Sequence, residues 1–166
     1  LLLEDHLAAR LDFGQLGGIV ARSFEEAISG ADIVCACTHS PDPVVRREWV
    51  RPGAHVTSVG YNPQGRELDP ALLAAALVVV EARAAALAPY PSGSNDLLWP
   101  IRDGAFGEDH IHAEIGELVA GTRPGRTSPE EITVYKSVGV AAQDAAAAAL
   151  VLDAAREGGL GTEIEV

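Results

Sequence analysis

Positive charge is scarce in this chain. Its 166 residues include 12 Lys and Arg against 24 Asp and Glu, a formal net charge of −12, and Lys136 is the single lysine. A surface of that sign repels phosphate backbones and anionic lipid, which argues against nucleic acid and membranes as partners. Long apolar runs are missing too: stretches such as residues 71–80 fall short of the roughly 20 residues that a membrane span requires. Leu1–Leu3 has neither a cationic start nor an extended apolar segment behind it, so it does not read as a secretory signal. Cysteine is limited to Cys35 and Cys37. In an extended strand the two would share a face among apolar neighbours, as core thiols in a reducing, cytoplasmic setting. No initiator Met and no strand precede Leu1, whereas residues 162–166 are strand-like, so the expectation is a chain trimmed at its front only.

What remains is ordinary globular material, 48% hydrophobic and 22% charged, enough to bury the core of one domain. Asp5–Leu11 has helical spacing, and Gly18–Ala21 is a short apolar strand candidate. Ser23-Phe24-Glu25-Glu26 is a capping box opening a helix that ends near Gly30. Ala31–Thr38 is an apolar run without alternation, as expected for a parallel strand covered on both faces. Pro43–Val50 allows one or two helical turns, and Ala54–Gly60 reads as a second such strand. A helix over Leu68–Ala76 starts at Asp69-Pro70, and a third strand follows over Leu77–Val80. Pro89–Pro100 reads as a loop, Asp109–Gly121 as a helix, Ile132–Tyr135 as a last buried strand, and Val138–Arg156 as a long Ala-rich helix. Strands alternating with short helices imply an α/β fold with a doubly wound parallel sheet.

In such a sheet the ligand lies beyond the carboxyl ends of the strands. Those positions hold Thr38-His39-Ser40, Gly60-Tyr61-Asn62, Glu81-Ala82-Arg83 and Lys136-Ser137-Val138-Gly139. Small hydroxyls and glycines recur among them, able to hold ribose or carboxamide oxygens and to admit a planar ligand, although each is also an ordinary turn residue. A Gly-x-Gly-x-x-Gly turn between strand and helix, which would seat a pyrophosphate, does not occur. Gly14–Gly18 and Gly158–Gly161 have the wrong spacing and follow helices, so a phosphate loop is expected before Leu1.

From Ala31 to Val166 the chain resembles the ornithine cyclodeaminase/μ-crystallin family. The resemblance is carried by Ala31-Asp32-Ile33-Val34, Trp49-Val50-Arg51-Pro52-Gly53-Ala54-His55-Val56, Val59-Gly60 with Arg66-Glu67-Leu68-Asp69, Ile111–Gly121, Pro124-Gly125-Arg126-Thr127, Ile132–Gly139 and Gly161-Thr162-Glu163, in that order. It implies a Rossmann-like NAD(P)-binding domain, N-terminally incomplete, over residues 1–140, and over 141–166 a helix and strand of a substrate and dimerisation domain. It further implies NAD or NADP as cofactor, a small amino-acid or imino-acid substrate, and a homodimer when full length. By resemblance Thr38 and Ser40 line the adenosine side, while Ser58, Val59, Gly60, Ser137, Val138 and Gly139 lie near the nicotinamide. The lysine and arginine that hold the substrate are expected outside this chain, which alone is therefore expected to be inactive.

One departure separates the chemistries. Ornithine cyclodeaminases resemble this sequence around Gly60 but carry an acid two residues later, where this chain has Asn62. An amide cannot exchange protons as a carboxylate does. The expectation is hydride transfer between NAD(P)H and a small cyclic imine or amino acid, with Asn62 orienting substrate; cyclodeamination of ornithine and non-catalytic NADPH binding are the alternatives. Other candidates read blandly. His110, His112 and Glu114 suit a helix surface better than a metal, because positions i and i+2 face apart. Lys136 is at best a cofactor-side or capping lysine, with no neighbour suggesting Schiff-base chemistry. Trp99 packs or covers the substrate pocket.

Overall fold

The computed structural model describes residues 18–162 and Ile164. Five four-residue strands, β1 Ile33–Ala36, β2 His55–Ser58, β3 Leu77–Val80, β4 Ile111–Glu114 and β5 Thr133–Lys136, form one sheet. Their order is β1-β2-β5-β3-β4, and every pairing is parallel. The strand latest in sequence thus lies at the centre. Register aligns Ala36 with Ser58, and Ser58 and Val80 with Lys136, so the chain leaves four strands at one level.

The two faces of the sheet differ. Val34, Ala36, Val56, Ser58, Val134, Lys136, Val78 and Val80 alternate onto one buried face. There the apolar members join Ile28, Val44, Val45, Val50, Leu68, Leu72, Leu73, Ala86 and Leu97 in the main core. On the other face His55, Thr57, Thr133 and Tyr135 are half-buried, and Ile33 is 66% exposed. Strand β1 is therefore covered on one side only among the described residues, and Cys35 and Cys37 are exposed rather than core thiols. An apolar run records compatibility with burial on both faces, whereas the covering element decides whether burial occurs.

Helix α1 (Phe24–Ile28) starts as its sequence dictates: Ser23 Oγ accepts from Glu26 N at 3.1 Å. The reciprocal carboxylate reaches Arg22 N, at 2.8 Å, instead of Ser23. The residues before it, Gly18–Ala21, form no strand, and Ile19 is fully solvated. A single 3₁₀ turn occupies Arg47–Trp49. Helix α2 (Pro70–Ala75) opens on Asp69, which accepts from Ala71 N at 2.9 Å and from Arg47 N at 3.2 Å. Helix α3 spans Arg83–Ala86.

Two expectations fail here. Pro89–Pro100 is not all loop: helix α4 covers Asn95–Arg102, with Leu97 fully buried and Pro100 inside it. The proline removes one backbone bond, a loss outweighed by the anchoring of Asn95, Asp96 and Leu97 in the core. The helix expected over Asp109–Gly121 is instead a 3₁₀ turn at Glu108–His110, strand β4 and the short helix α5 (Ile115–Val119). Strand pairing of Ile111 and Ala113 with β3 buries both. Arg83 fixes the crossing by donating to Ile111 O at 3.2 Å and His112 O at 3.1 Å. A period-two pattern over four residues is too short to be told from a helical one without its partner strand. Helix α6 (Ala141–Glu157) forms as read, with only Ala155 half-buried and the rest exposed. Thr162 and Ile164 are not in a strand, and the remainder of the strand-like end, like the helix expected over Asp5–Leu11, lies outside the described residues.

At the start of β2, His55 Nδ1 lies 2.8 Å from Thr133 Oγ1. Burial, aided by the Arg126 guanidinium, holds the imidazole below its ordinary 6.5. A depressed histidine favours the folded state above the unfolded-state value and loses that contribution as pH falls beneath it. Thermal melts from about pH 7.5 to about pH 5.5 should therefore show a larger loss of Tm in the wild type than in His55→Gln; parallel losses would refute the assignment. Asp69→Ala should cost about 1 kcal/mol in urea unfolding, the usual value of a helix cap.

Candidate functional site

The ends of β1, β2 and β5 are adjacent, so the loops at residues 37–42, 59–66 and 137–140 meet along one edge of the sheet. Backbone bonds lace them together: Val59 N donates to Ala36 O and Ser137 N to Ser58 O, both at 3.0 Å. The structure thereby brings the candidates that follow β1, β2 and β5 together, whereas Arg83, after β3, turns to Ile111 O, His112 O and Glu117. The candidates in the three loops play different parts.

Some face outward. Val59 is 51% exposed beside half-buried Gly60. Gly139 takes a positive φ of 80° with open space where a side chain would stand, and its N–H donates to Ser137 Oγ at 3.1 Å. Ser40 is half-buried and its hydroxyl is taken up locally, donating to Asp42 O at 2.8 Å. Asn62 staples loops: Nδ2 donates to His39 O at 2.9 Å, Oδ1 accepts from Gln64 N at 2.8 Å, and its carbonyl accepts from Asn95 Nδ2 at 2.9 Å.

Others face inward. Thr38 turns both its N–H and its hydroxyl to Glu67 Oε1, at 2.5 and 2.8 Å. Ser58 is fully buried; its hydroxyl donates to Glu67 Oε2 at 2.6 Å and accepts from Lys136 Nζ at 3.0 Å. Gly60 N donates to the same Oε2 at 3.0 Å, and Gly60 O accepts from Lys136 at 2.7 Å. Gly60 must be glycine for this reason, since a Cβ would run into Glu67 and Thr38 O. The hydroxyls expected to greet a ligand at Thr38 and Ser58 are thus spent on a buried carboxylate beneath the loops.

That carboxylate belongs to a cluster whose roles the sequence did not disclose. Lys136 Nζ pairs with Asp96 Oδ2 at 3.0 Å, the side chains being 1% and 4% exposed. Asp96 Oδ1 accepts from Glu67 N at 2.8 Å and Leu68 N at 2.7 Å. The lysine's three N–H groups have Asp96, Ser58 and Gly60 as acceptors, so the buried ammonium is fully engaged as a structural support. A signal for it existed: Val134 and Lys136 share a face by alternation, so a lysine on the core face demanded a buried carboxylate. Asp96 went unseen because its helix was read as loop.

Beside the third loop, Glu81 Oε1 accepts from Val138 N at 2.6 Å, while Oε2 is buried with no partner among the described residues. A buried acceptor left over at a strand end suits a donor brought by a ligand. Elsewhere, His110 Nε2 lies 2.8 Å from Leu73 O and His112 Nε2 2.8 Å from Pro124 O, so the two rings serve separate carbonyls. Among the described residues no cluster could hold a metal, and no helix is long and apolar enough to cross a membrane. Trp99 lies between the guanidinium groups of Arg66 and Arg102, at 6.0 and 5.9 Å.

Known proteins are similar to this chain in sequence and fold. The chain is 42% identical over 142 residues to a Δ1-pyrroline-2-carboxylate reductase of Bacillus thuringiensis subsp. konkukian, covering 84% of this chain and 42% of that protein. It is 40% identical over 135 residues to the mouse ketimine reductase mu-crystallin, covering 81% of this chain and 39% of the relative. A solved Thermococcus litoralis Δ1-pyrroline-2-carboxylate reductase, in complex with NADH and L-proline, superposes with a TM-score of 0.82 at 36% identity, over 96% of this chain and 49% of that one. The chain spans less than half the length of these curated relatives. The pattern of the ornithine cyclodeaminase/mu-crystallin family matches residues 8–159, and the chain, with its parallel Rossmann-like sheet, belongs to that family.

Proposed function

We propose that this chain forms the nicotinamide side of an NAD(P)-dependent reductase of small cyclic imino acids, of the Δ1-pyrroline-2-carboxylate kind. The observation that carries the reading is the convergence of the β1, β2 and β5 loops at one edge of the parallel sheet, with Val59 exposed among them, in a family whose similar members are named as reductases and include one solved with NADH. Nicotinamide, when bound, supplies the hydride; the imine carbon takes it and the nitrogen takes a proton. Val59 and the turn at Ser137, Val138 and Gly139 would hold the nicotinamide and exclude water from it. Thr38 and Ser40 border the adenosine side. Residues 1–140 act as the cofactor domain and 141–166 as part of a substrate and dimerisation domain, in a cytoplasmic homodimer whose substrate-binding lysine and arginine come from outside this chain.

Asn62 favours reduction over cyclodeamination. Its Nδ2 donates to His39 O, a bond no carboxylate could make, and an amide has a second N–H and a second lone pair free to orient substrate. It cannot shuttle protons at that point.

Titrating the full-length protein with NADH and with NADPH should show saturable binding to at least one, and Δ1-pyrroline-2-carboxylate should be reduced to proline. Binding without turnover on any cyclic imine would identify a binding protein instead, and ammonia release from ornithine would identify a cyclodeaminase. In Asn62→Asp the lost bond to His39 O should lower reductase kcat/KM about tenfold, equivalent to about 1.4 kcal/mol. A variant as active as the wild type would remove Asn62 from the mechanism.

A further inference from the structure

Four hydrogen bonds converge on one buried carboxylate, and none comes from the apolar core. Glu67 is 3% exposed. Its Oε1 accepts from Thr38 N and Oγ1, in the loop after β1; its Oε2 accepts from Ser58 Oγ and Gly60 N, at the end of β2. A single planar group therefore spans two neighbouring loops. We infer that Glu67 is a positioning residue that sets the distance between the adenosine-side and nicotinamide-side loops, and with it the seat of the cofactor; the inference rests on the reductase reading above.

The geometry leaves this bridge little slack. Glu67 is fixed through its own backbone, whose N–H donates to Asp96 Oδ1 at 2.8 Å and whose carbonyl accepts from Val44 N at 2.9 Å. On the far side Lys136 holds Gly60 O and Ser58 Oγ, so the Gly60 peptide groups are caught from both directions. The absent side chain at Gly60 lets the carboxylate close on the loop. Had Glu67 served stability alone, its partners could have been any buried donors. Instead they are residues 38, 58 and 60, the positions where two loops turn toward the site.

Glu67→Gln keeps the shape but offers one acceptor oxygen and an NH2 group, so it cannot satisfy both loops. Amide hydrogen exchange on the full-length protein without cofactor should accelerate at Thr38 and Gly60 by more than tenfold while Val56 and Val134 in the central strands change little. The dissociation constant for the preferred one of NADH and NADPH should rise about tenfold, with KM for that cofactor rising by more than kcat falls. Leu72→Ala, a truncation in the fully buried apolar core, serves as the stability control and should leave the cofactor constant near its wild-type value. The inference is overturned if Glu67→Gln binds the cofactor as tightly as the wild type, if exchange rises equally at Val56 and Val134, or if Leu72→Ala weakens binding as much as Glu67→Gln does. A wild type that binds neither cofactor overturns the reductase reading itself.

Discussion

A carboxylate that accepts four hydrogen bonds beneath the strand ends governs the upper edge of this sheet. Glu67, Ser58, Lys136 and Asp96 form a continuous buried chain of polar groups, each satisfied by the next. Breaking such a cluster at one point is costly: removing one partner of a buried pair typically costs about 3–5 kcal/mol because the other is left uncompensated. The cluster therefore specifies arrangement as much as it stabilises. It ties together the ends of β1, β2 and β5, the loop at 62–68 and the start of α4.

The sheet order makes that possible. Because β5 enters between β2 and β3, Lys136 arrives beside Ser58 from 78 residues away. Val134 anchors the middle of the strand in the apolar layer, and the same alternation delivers Lys136 to the polar layer above it. The core thus changes character along the strands, from Val56, Val78 and Val134 to Ser58 and Lys136, as it approaches the loops. What the loops then present is modest: Val59 on the surface, Gly139 with open space above it, and a buried Glu81 oxygen awaiting a donor. Precision in the site comes from the support below it more than from the groups at its surface.

The opposite face carries a different balance. Ile33 and Cys35 are exposed, while His55 and Tyr135 are half-covered.

Much was legible from sequence because it depends on neighbours in the chain. The caps at Ser23 and Asp69 are local hydrogen bonds, and the apolar runs of β1, β2, β3 and β5 needed no partner to be recognised. The strand-end positions at Thr38, Gly60 and Ser137 followed from the parallel topology those runs imply. Short elements were lost wherever a distant partner decides the conformation: β4 exists because β3 lies beside it, and α4 survives its proline because its first turn is anchored in the core. The direction of side chains at the site was lost for the same reason. Sequence alone determined a parallel α/β domain of this family and the order of the loops that meet at its strand ends. Only the tertiary structure decided that Thr38 and Ser58 turn inward, that Gly60 makes room for a carboxylate, and that Lys136 is an ion-paired support, because hydrogen-bond partners in a buried network are chosen by proximity in space.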